Sequence, residues 1–386
     1  MFMCHSKALL HAMVQAKRAG INFGAFHETP RTLWRPRVGA FDPHHAWTEE
    51  MHETARQIER SDHELARQPH VTTGLAQRLR RETLARNAYA TASIEGNPLT
   101  LSQVESLLDQ PSPASAREPD EIEILNYASF MSGSDATRAP RSPQDVLGIH
   151  AALFRGVLKD AGRWKRSPNF IGSRATREVI YVPAAPERVI PELRNAIDWL
   201  HDATSVPPLV RVLLFHHEFE SIHPFRDGNG RAGRAITPMA LQEFGYVGCA
   251  FAPIDLVIHQ RRAEYYRELA VVERNGSTDH TPWLAFMLNV VRSAYESGLA
   301  DALFQNALPV ALAARPRQMA EWFASLASQK PDARVKFNDV HHAFPQVAER
   351  TLKRDLALLR DEGILEVEGV LKGTTYRLAP SMARRS

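Results

Sequence analysis

The sequence predicts a mainly α-helical protein, with one small β-hairpin among its helices and a winged helix-turn-helix domain at its C-terminal end. Three observations carry this. Apolar residues recur at helical spacing over most of residues 47–299, and the one clear strand signal in that stretch is Val179-Ile180-Tyr181-Val182, stopped by Pro183. Beyond Arg315 the order changes to three helical segments followed by an alternating run. The composition is that of a folded chain, 44% hydrophobic and 24% charged over 386 residues, which is enough for two or three domains with real cores.

Taken in order, residues 1–30 lack a sustained period and lead into the Pro- and Arg-rich stretch from Thr29 to Arg37, which predicts a weakly ordered arm. Residues 31–118 read as a helical region. Leu84, Ala88, Thr91 and Glu95 fall on one stripe, Gly96-Asn97-Pro98 stops that helix, and Thr100 with Gln103 opens the next as a capping box ahead of Val104, Leu107 and Leu108. Residues 119–307 hold the next set of helices. One covers about 119–131, and Ser142 at the N-cap with Pro143 after it starts another that carries Val146, Ile149, Leu153 and Val157. Asn169-Phe170-Ile171 pairs with Val179 to Val182 as a hairpin flap, and an apolar helix follows from Leu209 to about Glu220. A helix from near Gly230 to about Phe244 and two more at about 259–274 and 281–299 complete the region. Residues 308–386 spell the winged helix-turn-helix: helices around Met319 to Leu326, Phe337 to Phe344 and Ala348 to Arg360, then a hairpin from Ile364-Leu365-Glu366-Val367-Glu368 and Tyr376-Arg377-Leu378.

Several classes are set aside at once. No run of 18 apolar residues exists, so neither a membrane span nor a cleaved signal is expected. The two cysteines, Cys4 and Cys249, are far apart and outside any Cys/His cluster, which gives disulfide and zinc frameworks nothing to build on and fits a reducing cytoplasm. A net charge of +3 is far from that of a general electrostatic binder of nucleic acid.

The chemistry is concentrated in His223-Pro224-Phe225-Arg226-Asp227-Gly228-Asn229-Gly230-Arg231-Ala232-Gly233-Arg234. Gly228-Asn229-Gly230 between two helices can take positive φ and gather backbone N–H groups into a concavity, and the following helix adds the positive end of its dipole. Such a loop suits phosphate oxygens. Arg231 and Arg234 share the first turn, where forked donors can grip further phosphate oxygens; without an anion there, two arginines would run against the dipole. Asp227 suits magnesium, which takes one or two carboxylates plus substrate phosphates. His223 is placed to accept a proton from an attacking hydroxyl, and Phe225 reads as a core anchor for the loop.

This stretch resembles the signature of the Fic family, His-x-Phe-x-(Asp/Glu)-Gly-Asn-Gly-Arg-x-x-Arg, and meets every specified position. The similarity extends over roughly residues 45–300: Gly162-Arg163 with Asn169-Phe170-Ile171-Gly172 and Tyr181-Val182-Pro183 looks like the family's flap, and Tyr265-Tyr266 like its adenine-side segment. The resemblance implies a Fic-type helical bundle at 119–307 that transfers AMP from ATP to a Tyr, Thr or Ser hydroxyl of a protein, the chain's own hydroxyls included. It implies His223 as base, Asp227 as the magnesium ligand, and Gly228, Asn229, Gly230, Arg231, Gly233 and Arg234 as the phosphate site, with Phe170, Ile171, Gly172, Ser173, Tyr265 and Tyr266 along the nucleotide.

Glu95 lies on the interior stripe of its helix, where a charge needs a cationic partner; the alternative is a helix-end side chain turned out to water. Thr91-Ala92-Ser93-Ile94-Glu95-Gly96 is similar to the inhibitory motif (Ser/Thr)-x-x-x-Glu-(Gly/Asn) of autoinhibited Fic proteins, which implies that Thr91, Glu95 and Gly96 are regulatory and that Glu95 pairs with Arg234 in the place of the γ-phosphate. Removal of AMP, with Glu95 orienting water, is a further activity within the same class. A second class is an ATP-sensing transcriptional regulator that reads DNA through Arg350, Lys353 and Arg354. Against it, six basic and six acidic residues balance between Gln346 and Leu378, which leaves protein docking or homodimer packing as the other use of this domain.

Overall fold

The computed structural model describes residues 41–67, 73–109, 117–169, 171–173, 178–181, 183–274, 279–309, 311–330, 332–369 and 373–383. The expected N-terminal arm lies outside them, as does Phe170. The described residues fall into two compact units: one takes in residues up to Ala66 with Arg80–Tyr295, the other the stretch from Arg67 to Leu79 with residues from Glu296 on. Phe304 and Leu308 are buried in the core of the second unit.

The first unit is helical apart from one hairpin, and two of its helices, Thr73–Ile94 and Thr281–Ala307, straddle its border along the chain with the second. Helix α1 spans Glu49–Ala66, α2 Thr73–Ile94, α3 Leu101–Asp109, α4 Pro119–Met131 and α5 Pro143–Leu153. Strands β1 (Ile171–Ser173) and β2 (Glu178–Tyr181) pair antiparallel, Gly172 opposite Val179 and Ser173 opposite Glu178, with a register shift between Ile171 and Gly172. Then come α6 (Val189–Asp202), α7 (Pro208–Ile222), α8 (Asn229–Glu243), α9 (Ile254–Gln260), α10 (Arg262–Arg274) and α11 (Thr281–Ala307). At the centre is α7, whose residues from Leu209 to Ile222 are all buried and which packs against α6 and α8. A helix buried all round must carry its polar residues into the interior, and α7 carries Arg211, His216, His217, Glu218 and Glu220 there.

Local chemistry accounts for the ends that matter. Asn97 N–H bonds the Ala92 carbonyl at 3.1 Å and Gly96 N–H the Ser93 carbonyl at 3.1 Å, a Schellman closure that leaves Glu95 as the C-cap residue just past α2 before Gly96 turns at φ 100°. Thr100 and Gln103 form the expected capping box, and Ser142 accepts the Asp145 N–H at the start of α5. Two expectations are corrected. Helix α5 stops at Leu153, so Val157 is not on it; Phe154 caps the helix and Gly156 follows at φ 77°. The helix expected at 259–274 is two, α9 and α10, broken at Arg261.

The second unit runs α12 (Ala314–Gln329), β3 (Val335–Lys336), α13 (Phe337–Ala343), α14 (Glu349–Asp361), β4 (Leu365–Glu368), β5 (Thr375–Leu378) and α15 (Pro380–Ala383). Its sheet is antiparallel in the order β3-β5-β4. Strand β3, two residues long, was below the reach of any periodicity. Met319, Phe323, Val340, Leu352, Leu356, Leu359, Ile364 and Leu378 form its core. No helix among the described residues is long and apolar enough to cross a membrane.

Candidate functional site

The loop between α7 and α8 is held by its neighbours in a conformation it would not choose alone. His223 sits at φ 51°, ψ 62°, the sole non-glycine residue at positive φ among the described residues. Such a backbone costs about 1–3 kcal/mol and persists where its surroundings over-determine it. Asn229 accepts the Phe225 N–H at 2.8 Å and donates to the Phe225 carbonyl at 2.9 Å, and Asn169 donates to the same carbonyl at 3.0 Å. Lys165 donates its backbone N–H to the Pro224 carbonyl at 3.0 Å and its ammonium to the Ile222 carbonyl at 3.1 Å and to Asn169 at 2.9 Å. Phe225 is fully buried, stacked between His150 at 3.7 Å and Trp164 at 5.2 Å.

The glycines are required by close approach. A side chain at Gly228, itself at φ 84°, would meet the Phe154 ring at 2.5 Å. One at Gly230 would meet Glu95 Oε1 at 2.6 Å, and one at Gly233 would meet Glu220 Oε1 at 2.3 Å. Helix α8 begins at Asn229, so the N–H groups of its first turn have no intrahelical acceptor and aim out of the loop with the positive end of the dipole. The carboxylate of Glu95 lies against this turn.

Arg234 is the charge around which the site is arranged. Its guanidinium, 1% exposed, donates Nε–H to Thr91 Oγ1 at 2.9 Å, and Nη2 to the Thr91 carbonyl at 3.2 Å and to Glu95 Oε1 at 2.7 Å. Thr91 and Glu95 are one turn apart, so the end of α2 grips the arginine as a single face. Burial alone raises the Glu95 carboxyl, but the Arg234 charge and hydrogen bond outweigh it and hold Glu95 below the ordinary glutamate value. Two other carboxyls feel the same arginine, and there burial wins: Glu220, whose Oε1 has no hydrogen-bond partner, and Asp255, bonded to the Tyr127 hydroxyl at 3.2 Å, are each pushed up to about 7. At neutral pH Glu95 is therefore the fully ionised partner of Arg234. Arg231 is also engaged, by Glu123 at 2.5 Å and Asp227 at 2.9 Å, over the Phe154 ring.

Hydrogen bonds settle the tautomers of three histidines. His223 Nδ1 faces the Glu220 carbonyl at 3.3 Å, which can only accept, so Nδ1 carries the proton and Nε2 keeps its lone pair. Burial first, then the nearby Lys165 charge, lowers its pKa to about 4, while burial lowers that of Lys165 to about 7. His150 Nδ1 accepts the Gly162 N–H, so Nε2 donates to the Asp227 carbonyl at 2.9 Å. Thr237 donates to the Gly233 carbonyl, His216 Nδ1 to Thr237 at 2.6 Å, and the Tyr265 hydroxyl to His216 Nε2 at 2.8 Å.

That chain redefines Tyr265. Only 1% exposed, it braces α8 from the core, and of the Tyr265-Tyr266 pair it is Tyr266, 42% exposed, that offers a surface. The side chain of Asn229 is likewise spent on the loop itself. His223, Asp227, Gly228, Gly230, Arg231, Gly233 and Arg234 come together with Thr91 and Glu95. Ile171, Gly172 and Ser173 form β1. Sequence reasoning missed His150, Lys165, Glu123, Glu220 and Asp255, and placed Asn169 on the flap without its role in holding the loop; Glu220, a carboxylate on the helix that leads into the motif and three residues before His223, left a signal that could have been followed.

The fold is that of a Fic-type helical bundle, and residues 140–241 match the Fic/DOC family model. The chain is 30% identical over 203 residues to the protein adenylyltransferase fic-1 of Caenorhabditis elegans, a match over 50% of this chain and 37% of that protein, and 26% identical over 225 residues to the protein adenylyltransferase Fic of Drosophila willistoni, over 56% and 42%. The chain thus covers less than half the length of these relatives. A crystal structure of a Fic family protein from Desulfovibrio desulfuricans G20 superposes with a TM-score of 0.57 at 26% identity, over 88% of this chain and 99% of that one. A Fic domain containing signaling protein from Bacteroides thetaiotaomicron VPI-5482 shares the fold, with a TM-score of 0.53 at 20% identity over 64% and 97%.

Two outcomes are expected. In an NMR titration of labelled histidine, His223 should show its midpoint near 4 and not at the ordinary 6.5; a midpoint at 6.5 contradicts the burial of the ring. Gly228→Ala should lower stability by about 1–3 kcal/mol more than Gly245→Ala, because both change a positive-φ glycine but only the first meets a ring. Thermal melting of the two variants measures the difference.

Proposed function

We propose that this protein is a protein adenylyltransferase held in check by Glu95. The observation that carries the reading is the carboxylate of Glu95 on Arg234 and against Gly230, at the open first turn of α8, where a polyphosphate would otherwise sit. Adenylyltransferase relatives supply the substrate class, ATP and a protein hydroxyl. In the reaction, His223 Nε2 takes the proton of the attacking Tyr, Thr or Ser hydroxyl, the hydroxyl oxygen bonds to the α-phosphorus, and the bond to the bridging oxygen breaks to release pyrophosphate. The N–H groups at Gly228 to Gly230 hold the phosphates, and Arg234 holds the γ-phosphate once Glu95 has left.

Asp227 fits magnesium. Its side chain is 62% exposed, both of its hydrogen bonds fall on Oδ1, and Oδ2 remains for a cation. Among the described residues no group of three or more His, Cys, Asp or Glu side chains is arranged to hold a metal ion, and a carboxylate such as Asp227 suits an ion completed by substrate phosphates and water. When bound, magnesium would draw off phosphate charge.

The C-terminal unit is read as a winged helix used for docking protein, a second copy of the chain included. Several of its cations are engaged by its own acids: Lys353 with Glu349, Arg354 with Asp355, Arg360 with Asp361 and Arg377 with Glu366. Gel shift with the chain's own upstream DNA should show no retardation at physiological salt; a specific, salt-dependent shift would revive the regulator. The cytoplasm is the compartment that fits a buried free Cys249.

Glu95→Gly should raise AMP transfer at least about tenfold, the scale of a lost blocking group worth 1.4 kcal/mol. Its melting temperature should drop only slightly, since Glu220 and Asp255 can ionise to serve Arg234, and should recover with ATP. Arg234→Ala should abolish transfer in either background. Unchanged transfer by a well-folded Glu95→Gly protein, followed by mass spectrometry, contradicts the reading. The Glu95 contact is stabilising above the ordinary glutamate pKa and is lost as pH falls through its lowered folded value, a range in which His223, with its pKa near 4, also takes up a proton; acidification should therefore not unmask wild-type transfer, and a rise in transfer at low pH would contradict the reading.

A further inference from the structure

Glu123 stands on α4, far in sequence from the motif, and is 8% exposed. Its Oε1 takes Arg231 Nη1 at 2.5 Å, and its Oε2 takes the Asn97 amide at 3.0 Å. The other terminal nitrogen of Arg231 reaches Asp227 Oδ1 at 2.9 Å, and its Nε–H is buried with no partner. One guanidinium is thus divided between two carboxylates while a third of its donor edge stays unused. The residue on the far side of Glu123, Asn97, closes the end of the helix that carries Glu95, and it is fastened to α4 a second time through the Asp120 carbonyl at 3.1 Å.

We propose that Glu123 is a positioning residue for Asp227: it draws Arg231 partly off that carboxylate, keeping Asp227 free for a divalent cation, and through Asn97 it ties this setting to the end of the Glu95 helix. The proposal rests on the adenylyl-transfer reading for the role of Asp227. The direction follows from charge. With Glu123 ionised, Arg231 gives Asp227 a single hydrogen bond; with that charge gone, the guanidinium has one anion within reach and its unused Nε–H, and it turns to Asp227 with a paired grip. A carboxylate so neutralised is a poorer ligand for a hard cation. A movement of the α2 end that broke the Asn97 contact would leave Glu123 entirely to Arg231 or release it, so occupancy of the Arg234 site and metal affinity at Asp227 are coupled.

The test is calorimetric titration of ATP into the full-length Glu95→Gly protein over a series of magnesium concentrations and in EDTA, with and without Glu123→Gln. The magnesium concentration giving half of the metal-dependent gain in ATP affinity should rise about tenfold in Glu123→Gln, the low end for partners that orient a metal ligand, while affinity in EDTA stays unchanged. Glu123→Asp should restore part of the effect, and Asn97→Ala should change the half-saturating magnesium concentration by less than Glu123→Gln does. An equal loss of affinity with and without magnesium, or an unaltered magnesium dependence, overturns the proposal. Should Glu123→Gln fail to fold, an unaltered magnesium dependence in folded Asn97→Ala overturns it. A Glu95→Gly parent with no magnesium-dependent ATP binding overturns it together with the underlying reading, whereas a parent that binds and transfers normally beside an unaffected Glu123→Gln removes the proposal alone.

Discussion

A guanidinium with 1% of its surface exposed cannot be left without a counter-charge, and the site of this protein is organised by that requirement at Arg234. Three carboxyls lie within its field, and they are sorted by solvation. Glu220 and Asp255 are so deeply buried that proton binding competes with ionisation near pH 7, whereas Glu95, which keeps 31% of its side chain in water, stays charged. The exposed residue is therefore the one that makes the bond, and it is the one that an incoming phosphate can displace. A deeper glutamate would hold the arginine with no route for exchange; a fully exposed one would hold it hardly at all.

The rest of the site keeps the loop that presents Arg234 in place. His150, His216 and His223 are all neutral, His150 and His223 fixed in one tautomer by backbone groups that can only accept or only donate and His216 by a Thr237 hydroxyl whose proton is spent on the Gly233 carbonyl, and burial lowers all three pKa values to about 4 or below. For His150 and His216 this makes an uncharged two-ended brace, for the floor of the loop and for the first turns of α8. For His223 it leaves a lone pair exposed at neutral pH. Lys165 and Asn169 clamp the carbonyls that the left-handed turn at His223 leaves out of any helix, so the strain of that turn is borne by side chains from the segment before the hairpin.

What was legible in the sequence was what lies close together in it. The stop at Gly96-Asn97, the capping box of Thr100 and Gln103, the N-cap at Ser142, the Gly-rich loop and the two arginines of one helical turn are local patterns, and each appears in the structure where expected. The stripe through Leu84, Ala88, Thr91 and Glu95 even carried one long-range fact, a carboxylate aimed inward. The residues that went unseen, His150, Lys165, Glu123 and Asp255, act across folds of the chain on backbone carbonyls and guanidinium edges, and nothing in their own neighbourhoods marks them. Tyr265 and Tyr266, two adjacent aromatic residues on a helix, point in different directions, and it is Tyr266 that reaches the surface.

The central claim is that the Glu95 carboxylate occupies a phosphate seat on Arg234. A crystal structure of the Glu95→Gly protein with ATP tests it most directly. The account predicts a phosphate oxygen within hydrogen-bond distance of the Arg234 guanidinium, at the position Glu95 Oε1 holds in the wild type, with the α-phosphorus in reach of a hydroxyl whose proton faces His223 Nε2. Phosphates bound elsewhere, with Arg234 turned to Glu220 or Asp255, would contradict it.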